Sequence, residues 1–185
     1  MSNDDLFISL NVDKKPYVKN VSNDPIINLT GESGSGKSFY AQQYLNDNNY
    51  IVIDTDLVFA SFDIATGYNK EFGEYLRNKY EVLPVLFNDF DLIYQEILNY
   101  FKDCEKTIVI DSALFKAMKD ISKLKGKIIV MRTSVDTCYS RCLERFKGNF
   151  PNAKDEDFKN YADRKSHIYK WYLELNKFLE KIYKL

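Results

Sequence analysis

Between Thr30 and Phe39 the chain reads Gly31-Glu32-Ser33-Gly34-Ser35-Gly36-Lys37-Ser38, and no other feature restricts the available folds so strongly. A G-x4-G-K-S run requires a sharp turn whose backbone N–H groups point inward, and glycines remove the side-chain clashes such a turn creates. Its flanks supply the context. Ile26-Ile27-Asn28-Leu29-Thr30, punctuated by Asp24-Pro25, reads as a short strand. Lys37–Leu45 reads as a helix with Phe39, Ala41, Tyr44 and Leu45 as its apolar face. Strand, glycine turn and helix in that order put the positive end of the helix dipole at the turn. This is the P-loop (Walker A) pattern of a nucleotide site. Gly31, Glu32, Ser33, Gly34, Ser35, Gly36, Lys37, Ser38 and Phe39 would form the cradle. Lys37 would reach the β- and γ-phosphates of ATP, and the Ser38 hydroxyl would bind Mg²⁺. The bland alternative is a flexible Gly/Ser turn.

The rest of the chain repeats the alternation of short apolar strands and helices. Strands are predicted at Tyr50–Ile53, Thr107–Ile110 and Lys127–Met131, and helices at Phe90 to Lys102, Val135–Phe146 and Asp155 to Lys181. Residues 57–106 read as helical, broken near Gly67, Gly73 and Pro84. The long final helix is kept in phase by Tyr161, Lys165, Ile168, Tyr172, Leu175, Leu179 and Ile182. Leu6–Val12 alternates as a half-buried strand would, and Lys147–Asn152 reads as a loop. Such a pattern predicts an α/β fold: a three-layer arrangement with a parallel sheet flanked by helices. The expected organisation is one domain. It comprises an N-terminal extension over 1–24, a helical substrate-binding insertion over about 57–106, and a short lid over about 146–154. Ligands of these sheets bind beyond the carboxyl ends of the strands, where Gly31, Asp54, Asp56, Asp111 and Arg132 fall.

Composition removes several function classes. Lys plus Arg number 26 and Asp plus Glu 27, a net charge of −1 that argues against an electrostatic grip on nucleic acid or a membrane. No stretch approaches the roughly 18 apolar residues of a membrane span. The acidic start has no basic n-region of a signal peptide. Cys104, Cys138 and Cys142 form no disulfide framework and no C-x2-C zinc pair, so buried thiols in a reducing, cytoplasmic setting are expected. Asn69-Lys70-Glu71-Phe72 fails as a guanine-reading Asn-Lys-x-Asp, and Asp111 is followed by Ser112 where motor and transporter ATPases place Glu.

Taken in order, these motifs resemble the adenylate-kinase-like P-loop kinases, the group that includes adenylate, shikimate, gluconate and dephospho-CoA kinases. The likeness runs over residues 25–183 as a series of motifs. Gly34, giving Gly-x-x-Gly-x-Gly-Lys-Ser, is typical of the group. Asp54-Thr55-Asp56 looks like the Asp-x-Asp of shikimate and dephospho-CoA kinases. By that likeness Asp54 would hold Mg²⁺ through water, and Asp56 would orient or deprotonate the acceptor hydroxyl; a strand-end turn is the plainer reading. Asp111 looks like the Walker B aspartate completing the Mg²⁺ environment, or else caps the helix that follows. Arg141 and Arg145 match the group's Arg-x3-Arg before the lid, which implies that Arg141 lies over adenine and Arg145 touches the transferring phosphoryl group. As i, i+4 charges they equally suit a solvated helix face. Asp155 and Glu156 followed by Arg164 resemble the lid exit, and Arg132 is a weaker candidate.

The departures bear on the acceptor. Nucleoside monophosphate kinases carry arginines after the second strand and after the Walker B aspartate, and neither Asp56–Ala60 nor Asp111–Phe115 contains one. The histidine-proline of dephospho-CoA kinases is missing, and no fifth strand is evident after the last helix; Leu6–Val12 is a conjectural substitute at a sheet edge. The expectation is an ATP- and Mg²⁺-dependent kinase acting on a hydroxyl of a small molecule, as a monomer or homodimer. Catalysis is expected to rest on Lys37, Asp56, Arg141, Arg145 and Arg164, with Ser38, Asp54 and Asp111 at the metal. The rival is a nucleotide-binding sensor that has lost turnover, and a further version is a polynucleotide 5′-hydroxyl kinase.

Overall fold

The structure, a computed structural model, describes residues 12–59, 66–80 and 88–185, the last without the side chains of 155, 156 and 158–168. Five strands make one sheet: β1 (Lys14–Asn20), β2 (Ile26–Thr30), β3 (Tyr50–Asp54), β4 (Thr107–Asp111) and β5 (Lys127–Arg132). Their order is β1-β5-β2-β4-β3; the last four are mutually parallel and β1 runs antiparallel to β5. The described helices are α1 (Lys37–Leu45), α2 (Thr55–Phe59), α3 (Gly67–Lys79), α4 (Phe90–Tyr100), α5 (Val135–Asn149) and α6 (Asp155–Tyr183). Two 3-10 turns, Ala113–Ala117 and Ile121–Lys123, join β4 to β5. The protein is thus an α/β fold with a mostly parallel five-stranded sheet flanked by helices.

Strand alternation explains the apolar runs. Ile27, Leu29, Val109 and Ile129 point to the face covered by α1 through Ala41, Tyr40 and Tyr44. Ile26, Ile51, Ile53, Ile108, Ile110, Ile128 and Val130 belong to the larger cluster with residues of α3 to α6. A sheet covered on both faces needs apolar residues at successive positions. Among the described residues, no helix is long and apolar enough to cross a membrane.

Several expectations change. The helical face predicted for α1 does not form: Ala41 is buried, whereas Phe39 and Leu45 are 79% and 60% exposed. Phe39 stands two residues from Ala41, about 200° around the helix, so the two cannot share a face. Gly73 does not break a helix but sits inside α3, where a Cβ would lie 2.9 Å from the Val58 carbonyl oxygen. Its lack of a side chain lets α3 approach α2. Lys147, Gly148 and Asn149, read as loop, form the last turn of α5. Pro84 and most of Leu6–Val12 lie outside the described residues, and Val12 precedes β1.

The sheet edge beside β5 is filled instead by β1. Its sequence, Lys-Lys-Pro-Tyr-Val-Lys-Asn, lacks a strand's usual apolar alternation because it is an edge: lysines and proline are how proteins blunt an exposed edge. The register shifts between Lys14 and Tyr17, around Pro16, which has no N–H for the ladder. Lys19 then donates to the Ile182 carbonyl at 2.8 Å, tying this edge to the end of α6.

Cys138 and Cys142 are buried and Cys104 half-buried, all as free thiols. Burial pushes the Cys138 thiol up to about 12, which makes it a packing residue rather than a nucleophile.

Candidate functional site

The loop leaving β2 turns by means of left-handed glycines, Gly34 and Gly36, whose backbone conformation L side chains rarely adopt. Gly34 has φ 80°, and a Cβ there would stand 2.4 Å from the Cys138 carbonyl oxygen of α5. Gly36, at φ 90°, is the residue before α1, and its carbonyl receives Tyr40 N–H at 2.9 Å. Within the loop Ser35 N–H donates to Glu32 O (3.0 Å), and from outside Thr133 Oγ1 donates to Ser35 O (2.8 Å) and Arg141 Nη1 to Gly34 O (3.1 Å). Helix geometry leaves the N–H groups of Lys37, Ser38 and Phe39 without intrahelical acceptors. Those amides and the dipole end of α1 make this turn suited to an anion.

A cleft of about 310 Å³ opens on the loop. Its walls come from Glu32, Ser33, Gly34, Gly36, Lys37, Ser38 and Phe39, with Asp56 and Ala113 from beyond β3 and β4, and Arg141 and Arg145 from α5. Residues far apart in sequence therefore line one cleft. Ser35 is buried beneath the loop, and its Oγ has no hydrogen-bond partner among the described residues. Arg141 and Arg145 are solvent-exposed on the cleft wall, and Arg145 Nη2 approaches Cys142 Sγ at 3.6 Å.

Two carboxylates stand behind Lys37 at the sheet's carboxyl edge. Asp54 and Asp111 end β3 and β4 and are direct partners in the parallel ladder. Burial raises the Asp111 carboxyl to about 6, with Lys37 opposing and the charges of Asp54 and Asp56 adding to the rise. Burial likewise raises Asp54, and the neighbouring Asp56 raises it further. Two clustered carboxylates held against their own desolvation favour a cation that would relieve both. With the Ser38 hydroxyl at the start of α1, the candidate donors are all oxygen, as a hydrated Mg²⁺ requires. No group of three His, Cys, Asp or Glu side chains that could hold a metal occurs among the described residues. That still fits Mg²⁺, which takes one or two carboxylates and keeps several waters.

Residues between and beside the acids hold them in place. Thr55 Oγ1 donates to Ser112 Oγ at 2.8 Å, both groups buried, which clamps the ends of β3 and β4 together. Ser112 N–H reaches Leu29 O on β2 at 3.0 Å. Asn69 of α3 accepts from Asp54 N–H at 2.8 Å, and Asp54 accepts from Asp56 N–H at 2.9 Å. Sequence reasoning missed Thr55, Ser112 and Asn69: the first two sit beside motifs without a spacing signal of their own, and Asn69 reaches Asp54 only once α3 has packed on β3.

Glu32 lines the cleft as part of the turn, while its side chain is engaged elsewhere. Its carboxylate turns inward to Lys116 at 2.7 Å, and only its backbone belongs to the turn. Burial raises Glu32, against the attraction of Lys116, and lowers Lys116. The Lys116 ammonium also sits 5.0 Å from the Trp171 ring centroid of α6. Arg132 points away from the cleft, giving its Nε to Lys15 O, which makes it a staple for β1. Arg164, Asp155 and Glu156 fall among the undescribed side chains.

No family model matches the chain, and no curated protein is similar to it in sequence. Among solved structures, it is similar to a chain of the Pnkp1/Rnl/Hen1 RNA repair complex, with a TM-score of 0.45 and 16% identity. The match covers 88% of this chain and 47% of that one, so this chain spans about half the length of its neighbour. A likeness of that size bears on neither substrate nor mechanism.

Proposed function

We propose that this chain is an ATP- and Mg²⁺-dependent kinase of the P-loop class that transfers the γ-phosphoryl group to a hydroxyl of a small molecule. The observation that carries the reading is the convergence of the glycine turn, Lys37, Asp56, Arg141 and Arg145 on one cleft, with Asp54 and Asp111 paired behind it. The sequence pattern supports the phosphate chemistry, and the glycine turn follows β2 at the carboxyl end of the parallel strands, where ligands of such sheets bind.

In this reading the amides of the turn and the Lys37 ammonium hold the β- and γ-phosphates. Ser38, Asp54 and Asp111 hold Mg²⁺, which when bound neutralises phosphate charge. Asp56 orients the acceptor hydroxyl in line with the γ-phosphorus and receives its proton. The new bond runs from the acceptor oxygen to phosphorus as the bond to the β-phosphate bridging oxygen breaks. Arg145 meets the charge on the moving group, and Arg141 lies near the base. Residues 57–106 would form the acceptor side, and residues about 146–154, with Arg164, a lid that excludes water. The free thiols suit a cytoplasmic location.

The test is ATP turnover against a panel of hydroxyl acceptors, oligonucleotides included. One acceptor should stimulate turnover well above background hydrolysis. Lys37→Ala and Ser38→Ala should abolish transfer without unfolding the chain, and Asp56→Asn should bind ATP normally yet transfer nothing. Full turnover by Asp56→Asn removes its role. Nucleotide binding without stimulation by any acceptor favours a sensor module over an enzyme, whereas stimulation by oligonucleotides alone makes the acceptor a polynucleotide end.

A further inference from the structure

We propose that Phe39 is the stacking platform for the nucleobase, so that the site accepts purines by their flat faces and not by a hydrogen-bond code. The inference rests on the phosphate-cradle reading of the glycine loop. Phe39 is the most exposed large apolar side chain among the described residues, at 79%. The next two aromatics of α1 are engaged: Tyr44 packs on Tyr50 with centroids 4.8 Å apart, and Tyr40 lies 6.5 Å from Tyr44. Phe39 has no ring contact among the described residues.

Its position is what turns an exposed ring into a binding surface. Phe39 lines the cleft, two residues and roughly 3 Å of helix rise beyond Lys37. Its backbone N–H is one of the three free amides of the α1 N-terminus. A nucleotide whose phosphates lie on those amides carries its base outward along the same wall. Arg141 lines that cleft too, exposed to solvent while its Nη1 bonds Gly34 O. An aromatic ring and a guanidinium are the two side-chain surfaces that grip a base by its π-face. Among the described residues, no Asn or Gln lines the cleft to read a base edge, and the Glu32 carboxylate is occupied by Lys116. Stacking of this kind tolerates different bases of similar area.

Binding of the Mg²⁺ complexes of ATP, GTP, CTP and inorganic tripolyphosphate to the full chain tests this by calorimetry. ATP and GTP should bind within a few-fold of each other and CTP more weakly. Phe39→Ala should lose about tenfold or more in ATP affinity, while Phe39→Trp keeps it. Tripolyphosphate, which has no base, should bind all three proteins alike. An unchanged ATP affinity in Phe39→Ala overturns the platform and leaves the cradle standing if tripolyphosphate still binds. Strong preference for ATP over GTP also overturns it, since that requires edge readout. Failure of tripolyphosphate and ATP alike on the wild-type chain sinks the cradle, and the platform with it. Coincident melting curves for the variants show that loss of the ring, not of the fold, is being read.

Discussion

Gly34 and Gly148 carry the same side chain and opposite consequences. At Gly34 the backbone is left-handed, and an added methyl would meet the Cys138 carbonyl oxygen at 2.4 Å. Gly148 lies in the last turn of α5 with nothing within 4 Å of its absent Cβ. Gly34→Ala should therefore cost roughly 2 kcal/mol or more through strain and displacement of α5. Gly148→Ala should add about 0.5–1 kcal/mol by removing helix-interior glycine entropy, raising the melting temperature a few degrees. Thermal melts of both variants check the pair, and a lowered melting temperature for Gly148→Ala would show that the site needs glycine. The sequence made the glycine turn legible because G-x4-G-K-S has few other physical uses. It could not show that the second glycine also accommodates α5, since Gly34 and Cys138 meet only in the folded chain. Thr55 and Ser112 were hidden for the same reason: their bond exists only once β3 and β4 are paired.

Helix α5 presents Arg141 and Arg145 to the cleft, so whatever fixes its first turn fixes the arginines. Ser134 is the N-cap, accepting from Thr137 N–H at 3.2 Å. Asp13, from the segment before β1, accepts from Ser134 N–H at 2.7 Å and from Thr137 Oγ1 at 3.0 Å. The Ser134 backbone bond, outweighing the opposing effect of burial, holds the Asp13 carboxyl below its ordinary 3.8. A depressed carboxylate contributes stability that is fully present above its unfolded pKa and is lost as the pH falls through the folded one. Asp13 is solvent-exposed and its charge is screened, so Asp13→Asn should cost only about 0.5 kcal/mol at neutral pH. The difference from wild type should vanish in acid, below the lowered pKa. Urea unfolding of both proteins across that range measures it, and a difference that persists in acid would assign the effect to packing. The interior face of the last helix was readable in advance: Tyr172, Leu175, Leu179 and Ile182 of α6 are all buried as their phase predicted. The edge strand was not, because β1 satisfies its partner with backbone groups while its side chains obey the opposite rule, repelling further pairing.

At the scale of the molecule, the ion pair Glu32–Lys116 links three parts that the sequence keeps apart: the glycine turn, the 3-10 turn after β4, and α6 through Trp171. Its members are separated by 84 residues, and no periodicity or motif connects them. Both groups are taken largely out of water, which is why burial moves Glu32 up and Lys116 down. A pair in that situation returns little net stability, since desolvation offsets most of the attraction, but it penalises any state in which one partner is left alone. Lys116→Met should therefore destabilise the chain by about 3 kcal/mol, by stranding the Glu32 carboxylate. Replacing both partners, as Glu32→Met with Lys116→Met, should recover most of that loss. Denaturant unfolding of the two single variants and the double closes the cycle. Additive losses would mean that the pair is not coupled and that the turn is held by its hydrogen bonds alone. Nucleotide affinity in the double variant separates the remaining roles: stability restored with affinity still reduced would show that the pair is kept to set the position of the phosphate-binding turn, through a contact that draws the last helix into the site.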